Sequence, residues 1–248
     1  MSLNEEFQKK GYIKINNFIS DLEFVNFSKK IKEKTIEAIK KKNIKKLGGF
    51  IIGNLNINLG SFAKTLWYLL LKNDLDRIIQ ECFKKNISDF IVRTGGNLCL
   101  PKKGLQQFHT DGHFKDKVYI LSIATEDINI SNGPTEIIED YHDINLPYWK
   151  FILAKKRKKK IFMKTGDIIL RKHSLWHRGT VNQTSNPRLL ISFLLFEKDR
   201  NLKSNLDENS EIRIYENFFE SNIKGKIKEF IYVKLRFLFA AYKILKSL

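Results

Sequence analysis

The sequence predicts one mainly β domain, an antiparallel sandwich or barrel with N-terminal and C-terminal helices, and three observations carry that prediction. Helical patterns come first along the chain and short β-type runs follow, an order that disfavours a parallel βαβ sheet. The β-type runs are separated by Gly, Pro, Asn and Asp turns. The chain is also long enough, at 248 residues with 42% hydrophobic and 29% charged, to hide roughly 70–75% of its unfolded surface. Intrinsic disorder, a collagen-like repeat and a stapled mini-protein are thereby excluded.

In chain order, residues 11–20 (GYIKINNFIS) alternate as a half-buried strand does and end on Ser20-Asp21, a helix N-cap. The following LEFVNFSKKIKEKTIEAIKKK places Leu22, Val25, Phe27, Ile31, Ile36 and Ile39 at helical spacing, an amphipathic helix of some twenty residues with a lysine-rich outer face. Residues 61–84 give one or two more helices. DFIVRTGGNLCL, DKVYILSIATED, DIILRK and RLLISFLLF then read as strands. Lys155–Lys160, six consecutive basic residues, reads as a solvated loop. Residues 223–248 form a basic amphipathic C-terminal helix, with Ile227, Phe230, Ile231, Leu235, Leu238, Tyr242 and Leu245 at 3/4 spacing, appended to a domain spanning residues 1–222. That helix either packs on the domain or on a second subunit, or lies on a membrane surface.

Cys82 and Cys99 have no metal or redox spacing, so a reducing compartment fits. The opening residues lack a basic region followed by an apolar run, and no stretch is long and apolar enough to span a bilayer. The expected location is cytoplasmic, with peripheral membrane contact through the C-terminal helix as an option. A net charge of +18 points to anionic partners, although a chain this rich in Lys, Asn and Ile owes part of that charge to composition bias. No basic run is interleaved with aromatics as a nucleic-acid motif would be, which disfavours nucleic acid.

Five histidines can be weighed one at a time. In QQFHTDGHF, His109 and Asp111 are one residue apart, so an extended segment points both side chains the same way. A second histidine follows in GDIILRKHSLWHRG, where His173 and His177 compete. Arg188 lies eleven residues beyond His177, across a Gly/Asn/Pro turn, and would neighbour it if the flanking strands paired. Two His and one carboxylate form the facial set of non-haem Fe(II) oxygenases, which leaves three positions open. An arginine fork close by suits a dicarboxylate.

With these residues in view, the chain resembles the phytanoyl-CoA dioxygenase family of Fe(II)/2-oxoglutarate-dependent oxygenases, over about residues 5–197. FQKKGYIKINNFIS is similar to the family's opening, FHTDGHF carries its His-x-Asp, and SIATEDINISNGPTEII its strand and Asn-Gly-Pro turn. KTGDIILRKHSLWHRGTVNQTSNPR matches its Gly-Asp strand, distal His, Asn and Arg in order, and that spacing selects His177 over His173. Where the family often has Gly-Ser-His, this chain has Glu139-Asp140-Tyr141-His142.

The resemblance implies a double-stranded β-helix core (jelly-roll, cupin-like), with Fe(II) held by His109, Asp111 and His177. It implies 2-oxoglutarate as cosubstrate, clamped at its far carboxylate by Arg188, and O2 as oxidant. Asn97 is a candidate for the cosubstrate's C1 carboxylate, against a plain sheet-edge amide. Thr180 is a candidate for hydrogen-bonding the cosubstrate, against a turn-stabilising hydroxyl. His113 shares the phase of His109 and Asp111 and is a candidate pocket residue, whereas His142 and His173 read as ordinary loop histidines. Trp176 reads as a packing aromatic, Asn182 as a turn residue and Ser192 as a barrel-interior hydroxyl. Because Asp111 keeps the carboxylate position that a halogenating relative must vacate, hydroxylation is expected. The substrate is expected to be a small or lipid/sugar-linked, anionic molecule. The competing class is an inactive scaffold of the same fold that binds anions or membranes.

Overall fold

The computed structural model describes residues 1–41, 49–198, 201–215, 219 and 222–245. It begins with a helix the sequence reading omits, α1 (Leu3–Lys10), closed at its start by a reciprocal Ser2–Glu5 capping box and at its end by Gly11 in the left-handed region. Strand β1 (Tyr12–Ile15) and helix α2 (Leu22–Lys41) follow as expected. Asp21 is the α2 cap, its carboxylate accepting from Phe24 N at 2.8 Å. The buried face of α2 is Phe24, Phe27, Ser28, Ile31 and Thr35, which shares Phe27 and Ile31 with the expected face but replaces its other positions, and Leu22 is 74% exposed. Burying a side chain such as Phe24 or Ile31 completely is worth about 1.5–3 kcal/mol each, so these residues rather than Leu22 orient the helix.

Strand β2 (Asn54–Asn58), helices α3 (Phe62–Lys72) and α4 (Leu75–Phe83), and strands β3 (Phe90–Cys99), β4 (Val118–Ile123) and β5 (Thr135–Ile138) come next. After a short helix α5 (Tyr148–Leu153), strands β6 (Lys158–Ile161), β7 (Ile168–Lys172), β8 (His177–Gly179), β9 (Arg188–Glu197) and β10 (Arg213–Tyr215) complete two antiparallel sheets. The larger has the order β1-β7-β4-β9-β3-β2-β10 and the smaller β6-β5-β8. This is the expected double-stranded β-helix core. The Lys155–Lys160 segment is only partly a loop: Lys158–Lys160 lie in β6, an edge strand whose exposed lysines discourage pairing with a second chain.

The expected single C-terminal helix is two, α6 (Ile223–Lys234) and α7 (Arg236–Leu245), with residues 246–248 outside the described residues. Both helices pack on the domain. Glu229 of α6 turns inward, 1% exposed, and accepts from the backbone N–H groups of Phe50, Ile51 and Ile52 at 2.7–2.8 Å, while α7 packs against α5.

Alternation along each strand sorts residues between two compartments. Leu189, Ile191, Phe193 and Leu195 of β9 join Leu121, Leu170 and Leu98 under helices α1–α4, forming the main core on the outer face of the large sheet. The intervening Arg188, Leu190, Ser192 and Leu194 face a cavity between the two sheets. On the outer side of the small sheet, Phe108, Ile138, Phe151 and Trp176 form a separate aromatic cluster, with Phe151 stacked on Trp176 at 3.7 Å.

Asp167, just before β7, pins the first strand to this frame. Its carboxylate accepts from Asn17 N and Lys164 N at 2.8 Å and pairs with Lys14 at 2.8 Å. Burial alone would raise its pKa, but Lys14 and the two backbone donors outweigh burial and hold it below the usual range. Its stabilisation is therefore present above the unfolded carboxylate value of about 3.9 and is lost as pH falls through the folded value. Asp167→Asn should cost about 1.5–3 kcal/mol at pH 7, the worth of a hydrogen bond to a charged group. In urea unfolding, the gap from wild type should narrow below about pH 4; an equal gap at pH 3 and pH 7 would contradict the account.

Candidate metal centre

The site is assembled by backbone pairing. His109 and His177 form an isolated antiparallel bridge, each N–H donating to the other's carbonyl at 2.9 Å. Asp111 N donates to His173 O at 2.9 Å, so the His-x-Asp segment lies along the turn that leads from β7 into β8, which begins at His177. At Gly112, an added Cβ would stand 1.9 Å from His173 Nε2, so a larger residue there would have to displace the His173 ring.

Three side chains converge there. Ligand atoms of His109, Asp111 and His177 all lie within 4.8 Å of one another, with His109 Nε2 at 3.9 Å from Asp111 Oδ1 and His177 Nε2 at 3.6 Å from Asp111 Oδ2. Each imidazole has Nδ1 against a backbone carbonyl, Gln107 O at 2.9 Å for His109 and Leu175 O at 3.0 Å for His177. A carbonyl can only accept, so Nδ1 carries the proton and each Nε2 presents a lone pair toward the centre. Burial, reinforced by the Arg171 charge, pushes His177 down to about 3, leaving its ring neutral as a metal ligand requires. Burial would raise Asp111, yet the charges facing it, Arg171 among them, hold it well below the usual carboxylate range. Two imidazoles and one carboxylate suit a divalent first-row metal, with the cavity side left open.

The cavity beyond is about 620 Å3 and is lined by the triad together with Arg188, Asn97, Ser192 and Arg171. His177 and Arg188 do not become neighbours by strand pairing, because β8 belongs to the small sheet and β9 to the large one. They meet across the cavity instead. Arg188 is 3% exposed, donates from Nη2 to Gly133 O at 3.0 Å, and has a buried Nε without a partner. The Asn-Gly-Pro turn thus anchors the arginine, with Gly133 in the left-handed region (φ 83°).

Of the subsidiary candidates, Asn97 lines the cavity, and its side chain makes no hydrogen bond among the described residues. Thr180 does not line it. Its hydroxyl donates to Pro134 O at 2.6 Å and stabilises the turn. Ser192 faces inward and shares a hydrogen bond with Ser122 at 2.8 Å. His113 is exposed and away from the cavity wall. His142 and His173 are buried rather than loop-exposed, with Nε2 of His142 at 3.0 Å from Gln8 O and that of His173 at 3.2 Å from Asp116. Asn182 is fully buried and bridges Cys99 O and Asn186 O within the turn, and Trp176 packs on Phe151.

Sequence reasoning misses Arg171. From β7 its Nη2 donates to Asp111 Oδ2 at 2.7 Å and lies 3.4 Å from His177 Nε2, while Nη1 is buried without a partner. The available signal is an arginine in phase with Ile169, directly after the apolar run Ile168–Leu170 and six residues before His177. Because Arg171 lowers both the His177 and the Asp111 pKa, Arg171→Met should raise both. Metal binding should then fail at a higher pH as acid is added. Titrating Co(II) binding against pH in the two proteins checks this, and an unmoved acid limb would contradict it.

The family model described as Phytanoyl-CoA dioxygenase (PhyH) matches residues 7–190. No curated protein matches the chain. Among solved structures, it is similar to AviO1 from Streptomyces viridochromogenes Tue57, with TM-score 0.63, 16% identity, and 81% of this chain and 96% of that one covered. It is similar to SnoK, titled a non-heme alpha ketoglutarate dependent carbocyclase from nogalamycin biosynthesis, with TM-score 0.61, 13% identity, and 81% and 85% covered. It is also similar to HygX from Streptomyces hygroscopicus, solved with nickel and 2-oxoglutarate, with TM-score 0.53, 13% identity, and 86% and 94% covered.

Proposed function

The chain belongs to the phytanoyl-CoA dioxygenase family, and from that premise we propose that it hydroxylates an unactivated C–H of a small or lipid/sugar-linked, anionic substrate. Fe(II) is its metal and 2-oxoglutarate its cosubstrate. The observation that carries the reading is the convergence of two Nε2 lone pairs and one ionised carboxylate beside an open cavity.

His109, Asp111 and His177 would hold the iron, which supplies activation of dioxygen coupled to oxidative decarboxylation of 2-oxoglutarate to succinate and CO2. Arg188 binds the far carboxylate of the cosubstrate, for which its buried, partly unpaired fork is suited. Asn97, on a neighbouring strand, offers an amide to the C1 carboxylate. Asp111 fills the position a halide would need, which supports hydroxylation.

The substrate side carries positive charge. Arg171, Ile120, Leu194 and Arg93 stand opposite one another across β7, β4, β9 and β3, so two cations flank an apolar strip at one level of the cavity. That arrangement favours a substrate with an anionic group beside an aliphatic stretch. Folds like this one host other outcomes, a carbocyclase among them, so the fate of the substrate depends on residues that line the cavity. Turnover of anionic candidates under isotopically labelled dioxygen tests the hydroxylase reading. One labelled oxygen per product and one succinate per product are expected; succinate with unlabelled, dehydrogenated or cyclised product would overturn it.

A further inference from the structure

A second pocket lies on the opposite side of the small sheet from the metal centre. Phe108 and Arg178 alternate with His109 and His177, so they point outward where the histidines point inward. Together with Tyr148, Lys156, Lys158 and Arg236 they line a pocket of about 200 Å3. We propose that this pocket binds the phosphate of an anionic membrane lipid while α7 lies in the bilayer surface. The proposal is independent of the oxygenase reading.

The charge in the pocket is mostly uncompensated. Arg178 is neutralised by Glu136 at 2.6 Å, but among the described residues no ion pair involves Lys156, Lys158 or Arg236. Lys156 Nζ reaches only the Ile152 and Ala154 carbonyls and stands over the Phe151 ring at 4.8 Å. Burial, and then the charges of Lys158 and Arg236, push its pKa down. Beside them the Tyr148 hydroxyl is buried with no hydrogen-bond partner. Three cations and an idle hydroxyl in one concavity are what a phosphate's acceptor oxygens would satisfy.

The rim selects a bilayer over a soluble phosphate. Leu153, the last residue of α5 between the lining residues Ile152 and Ala154, is 70% exposed, and Phe237 and Leu238, next to Arg236 on α7, are 58% and 59% exposed. The one acid between residues 223 and 245 is Glu229, and it is buried under three backbone donors. The outer surface of α6 and α7 is therefore apolar and cationic, complementary to anionic lipid at an interface. No helix among the described residues is long and apolar enough to cross a membrane.

The test is co-sedimentation of the full chain with phosphatidylcholine vesicles, with and without phosphatidic acid. Three variants are compared: Lys156→Gln with Lys158→Gln in the pocket, Phe237→Ser with Leu238→Ser on the rim, and Lys29→Gln with Lys40→Gln on α2 as a charge-matched control. Binding only with phosphatidic acid is expected, weakened about 30-fold in the pocket variant, weakened in the rim variant, and changed less than about twofold in the control. If the paired pocket variant fails to fold, Lys158→Gln alone, at an exposed position, carries the test. No binding to phosphatidic acid vesicles, or equal loss in the control, overturns the proposal. Tight binding of inorganic phosphate without vesicle binding would assign the pocket to a soluble anion and overturn the membrane source.

Discussion

Replacing His177 by alanine is expected to abolish tight iron binding and, with it, iron-dependent formation of succinate from 2-oxoglutarate. The variant keeps the backbone pair with His109, so the strand stays in place while one of three ligands is lost. Disturbing groups that merely orient ligands typically costs about 10–100-fold in metal affinity, so losing a ligand should cost at least about 100-fold. Iron retained after equilibrium dialysis, with succinate release under O2 and the thermal midpoint as a folding control, measures this. Turnover within a few-fold of wild type would sink the assignment of His177.

Arg188→Ala should instead leave iron binding largely intact and raise the 2-oxoglutarate requirement. Removing one member of a buried charge pair costs about 2–5 kcal/mol, or roughly 30- to 5000-fold in affinity. Arg188→Lys should recover only part of this, because an ammonium restores the charge without the fork. Arg188 also holds Gly133 O, so loosening of the Asn-Gly-Pro turn is expected in both variants and cannot account for a difference between them. Unchanged affinity for 2-oxoglutarate in Arg188→Ala would remove this residue from the site.

The triad was legible because a one-residue spacing on an extended segment survives folding: His109 and Asp111 face the same way wherever the strand is placed. The choice of His177 over His173 came from motif spacing, and the structure explains it, since the ring of His173 is held by Asp116 outside the centre. Arg171 was not legible, because its place depends on how β7 registers against β4 in a distant part of the chain. Strand β2 was missed for a different reason. Its NLNIN sequence alternates correctly, Leu55 and Ile57 entering the core, but asparagine is a poor strand former and masks the pattern. The C-terminal break was hidden because the apolar 3/4 spacing runs through Leu235 without interruption, and the inward anchor Glu229 reads as a surface charge. Thr180 had two readings, and a hydrogen bond to Pro134 favours the turn.

Anaerobic absorption spectroscopy of the full chain, titrated with Fe(II) and then 2-oxoglutarate, tests the central claim most directly. Assembly of the two histidines, Asp111 and a chelating cosubstrate on one iron predicts a visible charge-transfer band that appears only when both are present and saturates at one of each per chain. Absence of that band at saturating iron and 2-oxoglutarate, in folded protein, would contradict the account.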